Sequence, residues 1–150
     1  MRLALDTNIL AYAEGVNGAA MQRRAIDLLE RLAAAEILLP VQVLGELAAV
    51  LVRKAGRSKA EARAVILEWS DAYPAADTSA SVMITSLGLA ADHDLGLWDA
   101  VILSAAASAG CRLLLSEDFQ NGFTWNGVTV ADPFAEDRHR LLQDILAPGE

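Results

Sequence analysis

The sequence predicts an α/β fold built on a mostly parallel sheet. Three observations point there. Short apolar runs alternate along the chain with longer stretches of helical periodicity, the order expected of βα units. The runs themselves, such as Leu3–Leu5 and Arg112–Ser116 (RLLLS), are continuously apolar, as in strands covered on both faces. The 150 residues, with no internal repeat and no linker-like tract, suit one domain over 1–150 that buries roughly 70% of the surface of its unfolded chain.

Leu3–Leu5 reads as the first strand, and the Asp-Thr-Asn that ends it opens a helix. Between Ala19 and Ala35 the apolar residues Ala25, Ile26, Leu28, Leu29 and Leu32 alternate with charged ones as on an amphipathic helix. Ile37–Leu39 reads as a buried strand stopped by Pro40, followed by a helix over Val41–Ala55 that Gly56 ends. Ser58-Lys59-Ala60-Glu61 fits a capping box and starts a helix running to about Ala72. A short strand is expected over Ala75–Thr78, with Ser79 capping a helix over Ala80–His93. Leu97–Gly110, rich in alanine, is the next helix. Arg112–Ser116 and Val128–Ala131 are the last strands, the second after an Asn126-Gly127 turn. Pro133 precedes a polar helix expected from about Ala135 to Leu146.

Composition removes several classes of function. Hydrophobic residues make up 54% and charged residues 21%, which excludes disorder for the body of the chain. Cys111 is the only cysteine, so there is no intrachain disulfide framework and no thiolate zinc cluster, as suits a reducing cytoplasm. His93 and His139 are the only histidines, too few for a histidine-rich metal site. Mean hydropathy is +0.31, yet Pro40, Gln42 and Glu46 interrupt the richest apolar stretch, Ile37–Val52. No membrane span or signal segment is expected, and the expected location is cytoplasmic. Twelve Lys and Arg against 20 Asp and Glu give a formal charge of −8. That argues against a broad basic surface for nucleic acid, though not against phosphate chemistry through bound cations.

Most acids lie on polar helix faces, where solvation explains them. Four do not. Asp6 ends the first strand, where an N-cap role would suffice, but ligands also gather at strand carboxyl ends. Glu46 borders the apolar stripe of its helix, beside Val43, Leu47 and Val50. Asp99 follows Trp98 in LWDAVIL and shares a stripe with Ile102, Leu103 and Ala106. Its place in the first helical turn explains the sign of its charge but not its apolar flanks. Asp118 lies just past the RLLLS strand, with Glu117 beside it. Carboxylates 4 Å apart repel by roughly 4 kcal/mol per pair at an effective dielectric near 20. A shared proton or a divalent cation relieves such a cluster. Oxygen-only ligation favours Mg²⁺ or Mn²⁺ over zinc, and these ions most often serve phosphate chemistry.

These four acids in order, in LALDTNIL, LGEL, LWDAVILSAAASAGCRLLLSED and with the closing FQNGFTWNGVTVADPF, resemble the PIN-domain ribonucleases, and within them the VapC-type toxins of VapBC pairs. The resemblance covers nearly the whole chain. It implies a single PIN-like domain, a three-layer α/β/α sandwich with a mostly parallel sheet. It also implies an acidic pocket in which Asp6, Glu46, Asp99 and Asp118 are both metal ligands and catalytic residues. Thr7, Asn8 and Ser116 match the family's polar residues around them, and Glu117 is the alternative to Asp118. Mg²⁺ or Mn²⁺ is the implied cofactor, RNA the implied substrate, and a cognate antitoxin and a second copy of the chain the implied partners.

Arg53, Lys54, Arg57, Lys59 and Arg63 concentrate basic charge in one segment and are the candidates for contacting RNA phosphates. A solvated helical surface is the plainer use of the same residues. Trp69, Trp98 and Trp125 could stack on bases or serve packing. Two other functions are weighed against the nuclease. A haloacid-dehalogenase-like phosphatase also starts with a strand-end Asp but needs D-x-D, and Asn8 occupies the second place. A catalytically inactive PIN-like module that binds protein would have no use for four costly acids.

Overall fold

The computed structural model describes residues 1–147. Strands β1 (Arg2–Leu5), β2 (Glu36–Pro40), β3 (Ala75–Ala76), β4 (Leu113–Leu115), β5 (Thr124–Trp125) and β6 (Val128–Ala131) form one sheet in the order β3-β2-β1-β4-β6-β5. All neighbours pair in parallel except β5 with β6. Seven helices connect and cover them among the described residues: α1 (Thr7–Ala13), α2 (Ala19–Arg31), α3 (Val41–Arg53), α4 (Lys59–Ala72), α5 (Ala80–His93), α6 (Leu97–Ser108) and α7 (Arg140–Leu146).

The apolar runs behave as their composition requires. Leu3, Ala4 and Leu5 on β1 and Leu113, Leu114 and Leu115 on β4 are all fully buried. Successive residues of a strand point to opposite faces, so both faces of the sheet are covered. Helix α6 is buried along most of its length, and its small side chains Ala100, Ser104, Ala105 and Ala106 let it sit deep in the molecule. The capping box of α4 forms in full: Glu61 N–H donates to Ser58 Oγ at 3.1 Å and Ser58 N–H to Glu61 Oε1 at 3.3 Å.

The strand order positions the site. From β1 the chain steps outward through β2 to β3, then returns to the other side of β1 with β4 and proceeds to β6. The direction of winding reverses between β1 and β4. In open α/β sheets the crevice for a ligand opens at the carboxyl ends of the strands at such a reversal. Here Asp6 follows β1, and Ser116, Glu117 and Asp118 follow β4.

Several boundaries differ from the sequence expectations. Helix α2 stops at Arg31 rather than Ala35, because residues 32–35 turn the chain to bring Glu36 opposite Arg2. Pro40 ends β2 from within, opposite Ala76 of β3, and is also the N-cap of α3. The strand expected over Ala75–Thr78 has only its first two residues. Helix α3 ends at Arg53 and α6 at Ser108, each short of the expected end. The RLLLS strand shrinks to Leu113–Leu115. The last helix starts at Arg140 rather than Ala135: Asp132 Oδ1 accepts from Phe134 N–H and Pro133 O from Arg138 Nε, which hold this segment in turns. His139 then caps α7 by accepting Leu141 N–H. Strand β5 was not expected. The Asn126-Gly127 pair, with φ of 46° and 83°, makes the tight hairpin that returns Trp125 onto Val128. No described helix is long and apolar enough to cross a membrane.

Candidate functional site

Asp6 is the foundation of the site. It is buried and is the N-cap of α1, with Thr7 N–H donating to its Oδ1 at 2.7 Å. Its other oxygen, Oδ2, accepts from Ser116 Oγ at 2.5 Å. Since Ser116 directly follows β4, this bond ties the ends of the two central strands together. Ser116 Oγ also accepts from Asp118 N–H at 3.0 Å, which bends the chain so that Asp118 turns toward Asp6. Asp99 enters from the first turn of α6. One carboxylate oxygen from each of Asp6, Asp99 and Asp118 lies within 4.8 Å of the other two.

Such a group is electrostatically unsatisfied. Among the described residues, the ion pairs are Arg2–Glu36 and Arg57–Glu14, and neither touches it. Burial above all, then the charges of Asp118 and Asp99, pushes the Asp6 carboxyl up to about 7 against the hydrogen bonds from Ser116 and Thr7. Burial, followed by Asp118 and Glu46, pushes Asp99 up to about 6. Three oxygen donors converging where negative charge is disfavoured suit a hard divalent cation such as Mg²⁺ or Mn²⁺, which keeps several of its own waters.

Glu46 takes a different position from the other acids. Thr7 Oγ1 donates to its Oε2 at 2.5 Å and Gln42 Nε2 to its Oε1 at 3.3 Å, so it stands beside the three carboxylates and outside their group. Thr7 thus serves both sides: its backbone holds Asp6 and its side chain holds Glu46. Glu117 points elsewhere, accepting from the Tyr12 hydroxyl at 2.6 Å. Burial and the Glu117 carboxylate push that hydroxyl up to about 12, so Tyr12 remains the donor. Of the two adjacent acids, Asp118 joins the group and Glu117 anchors the turn.

An open cavity of about 460 Å³ adjoins these residues, lined by Thr7, Asn8, Gln42, Gly45, Glu46, Ala49, Val50, Arg53, Trp98 and Asp118. Of the five basic candidates, Arg53 alone lines it. Arg57 is corrected to a structural role: its guanidinium bonds Glu14 Oε1 at 3.0 Å and the Glu14 carbonyl at 2.9 Å. Lys54, Lys59 and Arg63 are exposed away from the cavity walls. Trp69 is a packing residue, stacked on Tyr73 and donating from Nε1 to Glu14 Oε2 at 3.1 Å. Sequence reasoning missed Gln42 and Tyr12. The i, i+4 spacing of Gln42 and Glu46 on one helix was the available signal for the first; nothing local signals the second.

The PIN domain family model matches residues 3–121, a span that includes every residue of the carboxylate group. This chain belongs to the PIN domain family. Among solved structures, this PIN domain is similar in fold to the toxin VapC20 of Mycobacterium tuberculosis, described as cleaving the sarcin-ricin loop. The two are 20% identical with a TM-score of 0.61, over 75% of this chain and 86% of that one. VapBC2 of Rickettsia felis, bound to a DNA fragment from its promoter, matches at 23% identity and a TM-score of 0.60, over 77% and 87% of the chains. FitAcB of Neisseria gonorrhoeae matches at 16% identity and a TM-score of 0.62, over 88% and 98%. No curated protein sequence matches.

Proposed function

We propose that this PIN domain is a divalent-metal-dependent endoribonuclease that hydrolyses RNA phosphodiester bonds, and that it is the toxin of a toxin–antitoxin pair. The observation that carries the nuclease reading is the group of Asp6, Asp99 and Asp118 at the reversal of the sheet. These three would hold Mg²⁺ or Mn²⁺. Bound there, the ion supplies Lewis-acid stabilisation of the phosphate and lowers the pKa of a water. Ser116 and the Thr7 N–H keep both Asp6 oxygens in fixed directions. Glu46, oriented by Thr7 and Gln42, borders the same cavity, and its carboxylate would serve as the proton acceptor for an attacking water. Arg53 faces the cavity from α3 and draws the RNA phosphate toward a chain of net negative charge.

The toxin reading is supported by the likeness to a toxin described as cleaving the sarcin-ricin loop and to VapBC2. A cognate antitoxin and a second copy of this chain are the proposed partners. The test is calorimetric titration of Mg²⁺ and Mn²⁺, wild type beside Asp6→Asn/Asp99→Asn, with RNA cleavage assayed on the same samples. Metal-dependent cleavage in the wild type and its loss in the double variant is the expected result. A wild type that bound no metal and cut no RNA would end the catalytic reading.

A further inference from the structure

Trp98 stands out among the described residues. It is 51% exposed, an apolar surface that folding leaves in water at a cost. The other large apolar side chains exposed to this degree are Met1, Ile26, Val41, Leu67, Ile84 and Leu87. All are non-aromatic, and none lines the cavity beside the carboxylate group, which Trp98 does. Trp98 immediately precedes Asp99 in the first turn of α6, and it shares the cavity wall with Asp118. Arg53 lines the same cavity from α3.

A second feature of that cavity agrees. Gly45 lies inside α3, where glycine is disfavoured relative to alanine, and lines the cavity wall. A Cβ at this position would meet nothing within 4 Å, so core packing does not require the glycine. It leaves that stretch of the cavity wall without a side chain. An open cavity whose walls include an exposed indole and a guanidinium beside the carboxylates offers what one nucleotide needs: a π-face for the base and a cation for the phosphate.

We propose that Trp98 is the base-stacking residue of the substrate site and that the nucleotide beside the scissile phosphate binds unpaired, its base lying on the indole. This rests on the nuclease reading and narrows it to RNA that is single-stranded at the cleaved position. A base held in a duplex has no free face to offer, so paired RNA is a poor ligand.

The test uses the whole chain with Ca²⁺ in place of Mg²⁺, an ion of the same charge and ligand preference. The probes are a mixed-sequence single-stranded RNA oligonucleotide and its fully paired duplex. Trp98 fluorescence is isolated by Trp69→Phe/Trp125→Phe, and affinity is measured separately in the otherwise unaltered chain with Trp98→Ala and Trp98→Phe. The expected result is quenching by the single strand and not by the duplex. Trp98→Ala binds the single strand about tenfold or more weakly, within the range of a lost base stack, and Trp98→Phe binds nearly as well as the wild type. With Mg²⁺, the same loss appears in KM rather than kcat. Unchanged affinity and KM in Trp98→Ala overturn the proposal, and a simultaneous change in its oligomeric state would assign the ring to a second copy instead. The two readings separate cleanly. Trp98-dependent binding without any cleavage defeats the nuclease and leaves the stacking site standing; cleavage indifferent to Trp98 does the reverse.

Discussion

Asp6 and Glu46 look alike in sequence, each an acid in an apolar neighbourhood, yet they differ in what holds them. Asp6 accepts from Thr7 N–H and Ser116 Oγ, is sealed from water, and belongs to the three-carboxylate group. Glu46 is half-buried and accepts from Thr7 Oγ1 and Gln42 Nε2, so its charge is already partly compensated. The difference predicts separable phenotypes. Asp118→Asn lowers Mn²⁺ affinity tenfold or more by calorimetric titration, because it removes one negative charge from the group. Glu46→Gln keeps the side chain's size and one of its two acceptor oxygens, changes Mn²⁺ affinity less than threefold, and still loses cleavage by 10²-fold or more, the size of a lost proton acceptor. Equal losses of metal affinity in the two variants would put Glu46 among the ligands after all. That Asp6, Asp99 and Asp118 come together, with Glu46 beside them, follows from acids that each break a local pattern in the sequence. The hydrogen bonds that hold them differently were not legible, since those from Thr7 and Ser116 join positions up to 110 residues apart.

Among the elements, the long helices and central strands were readable because their signals are local: a capping box, an apolar stripe, a run of leucines. Removing one local signal should therefore have a local cost. Ser58→Ala breaks the capping box of α4 and should destabilise the protein by about 1 kcal/mol, lowering Tm by roughly 3 °C in calorimetry. A shift of less than about 0.5 °C would mean that α4 is held by its packing alone. Cleavage is expected to be untouched, since no residue of α4 lines the cavity. The elements that sequence reasoning misjudged are those set by distant partners. Strand β5 has two residues and exists only because β6 is there to pair with it. The late start of α7 follows from turn hydrogen bonds at Asp132, Pro133 and Asn121, which binds the Asp137 carbonyl, and not from any weakness of helical pattern in residues 135–139. Arg57 is the same case for a side chain: its charge suggested a surface role, and Glu14, 43 positions earlier, claims it.

For the molecule as a whole, the carboxylate group should couple stability to protons and, if the proposed site holds, to metal. Asp6 and Asp99 titrate in the folded protein near 7 and near 6, against an ordinary 3.8. Between about pH 4 and 7 the folded state therefore binds more protons than the unfolded chain, and stability falls as pH rises through that window. Metal-free protein should show a higher Tm at pH 5 than at pH 8. Millimolar Mg²⁺ should raise Tm at pH 8 more than at pH 5, since the ion competes with protons for the same oxygens. Asp99→Asn should flatten the metal-free profile and weaken the Mg²⁺ effect. A Tm that rose from pH 5 to pH 8 without metal would contradict the arrangement of charges. The bond between Ser116 and Asp6 has a further consequence, for synthesis on the ribosome. The first half of the site is made within the first six residues, and the second half only once β4 has emerged and paired with β1. A chain cut short between residues 46 and 115 has Asp6 and Glu46 but neither Ser116 nor Asp118. Incomplete translation products therefore lack the carboxylate group, which comes together late, with the closing of the sheet.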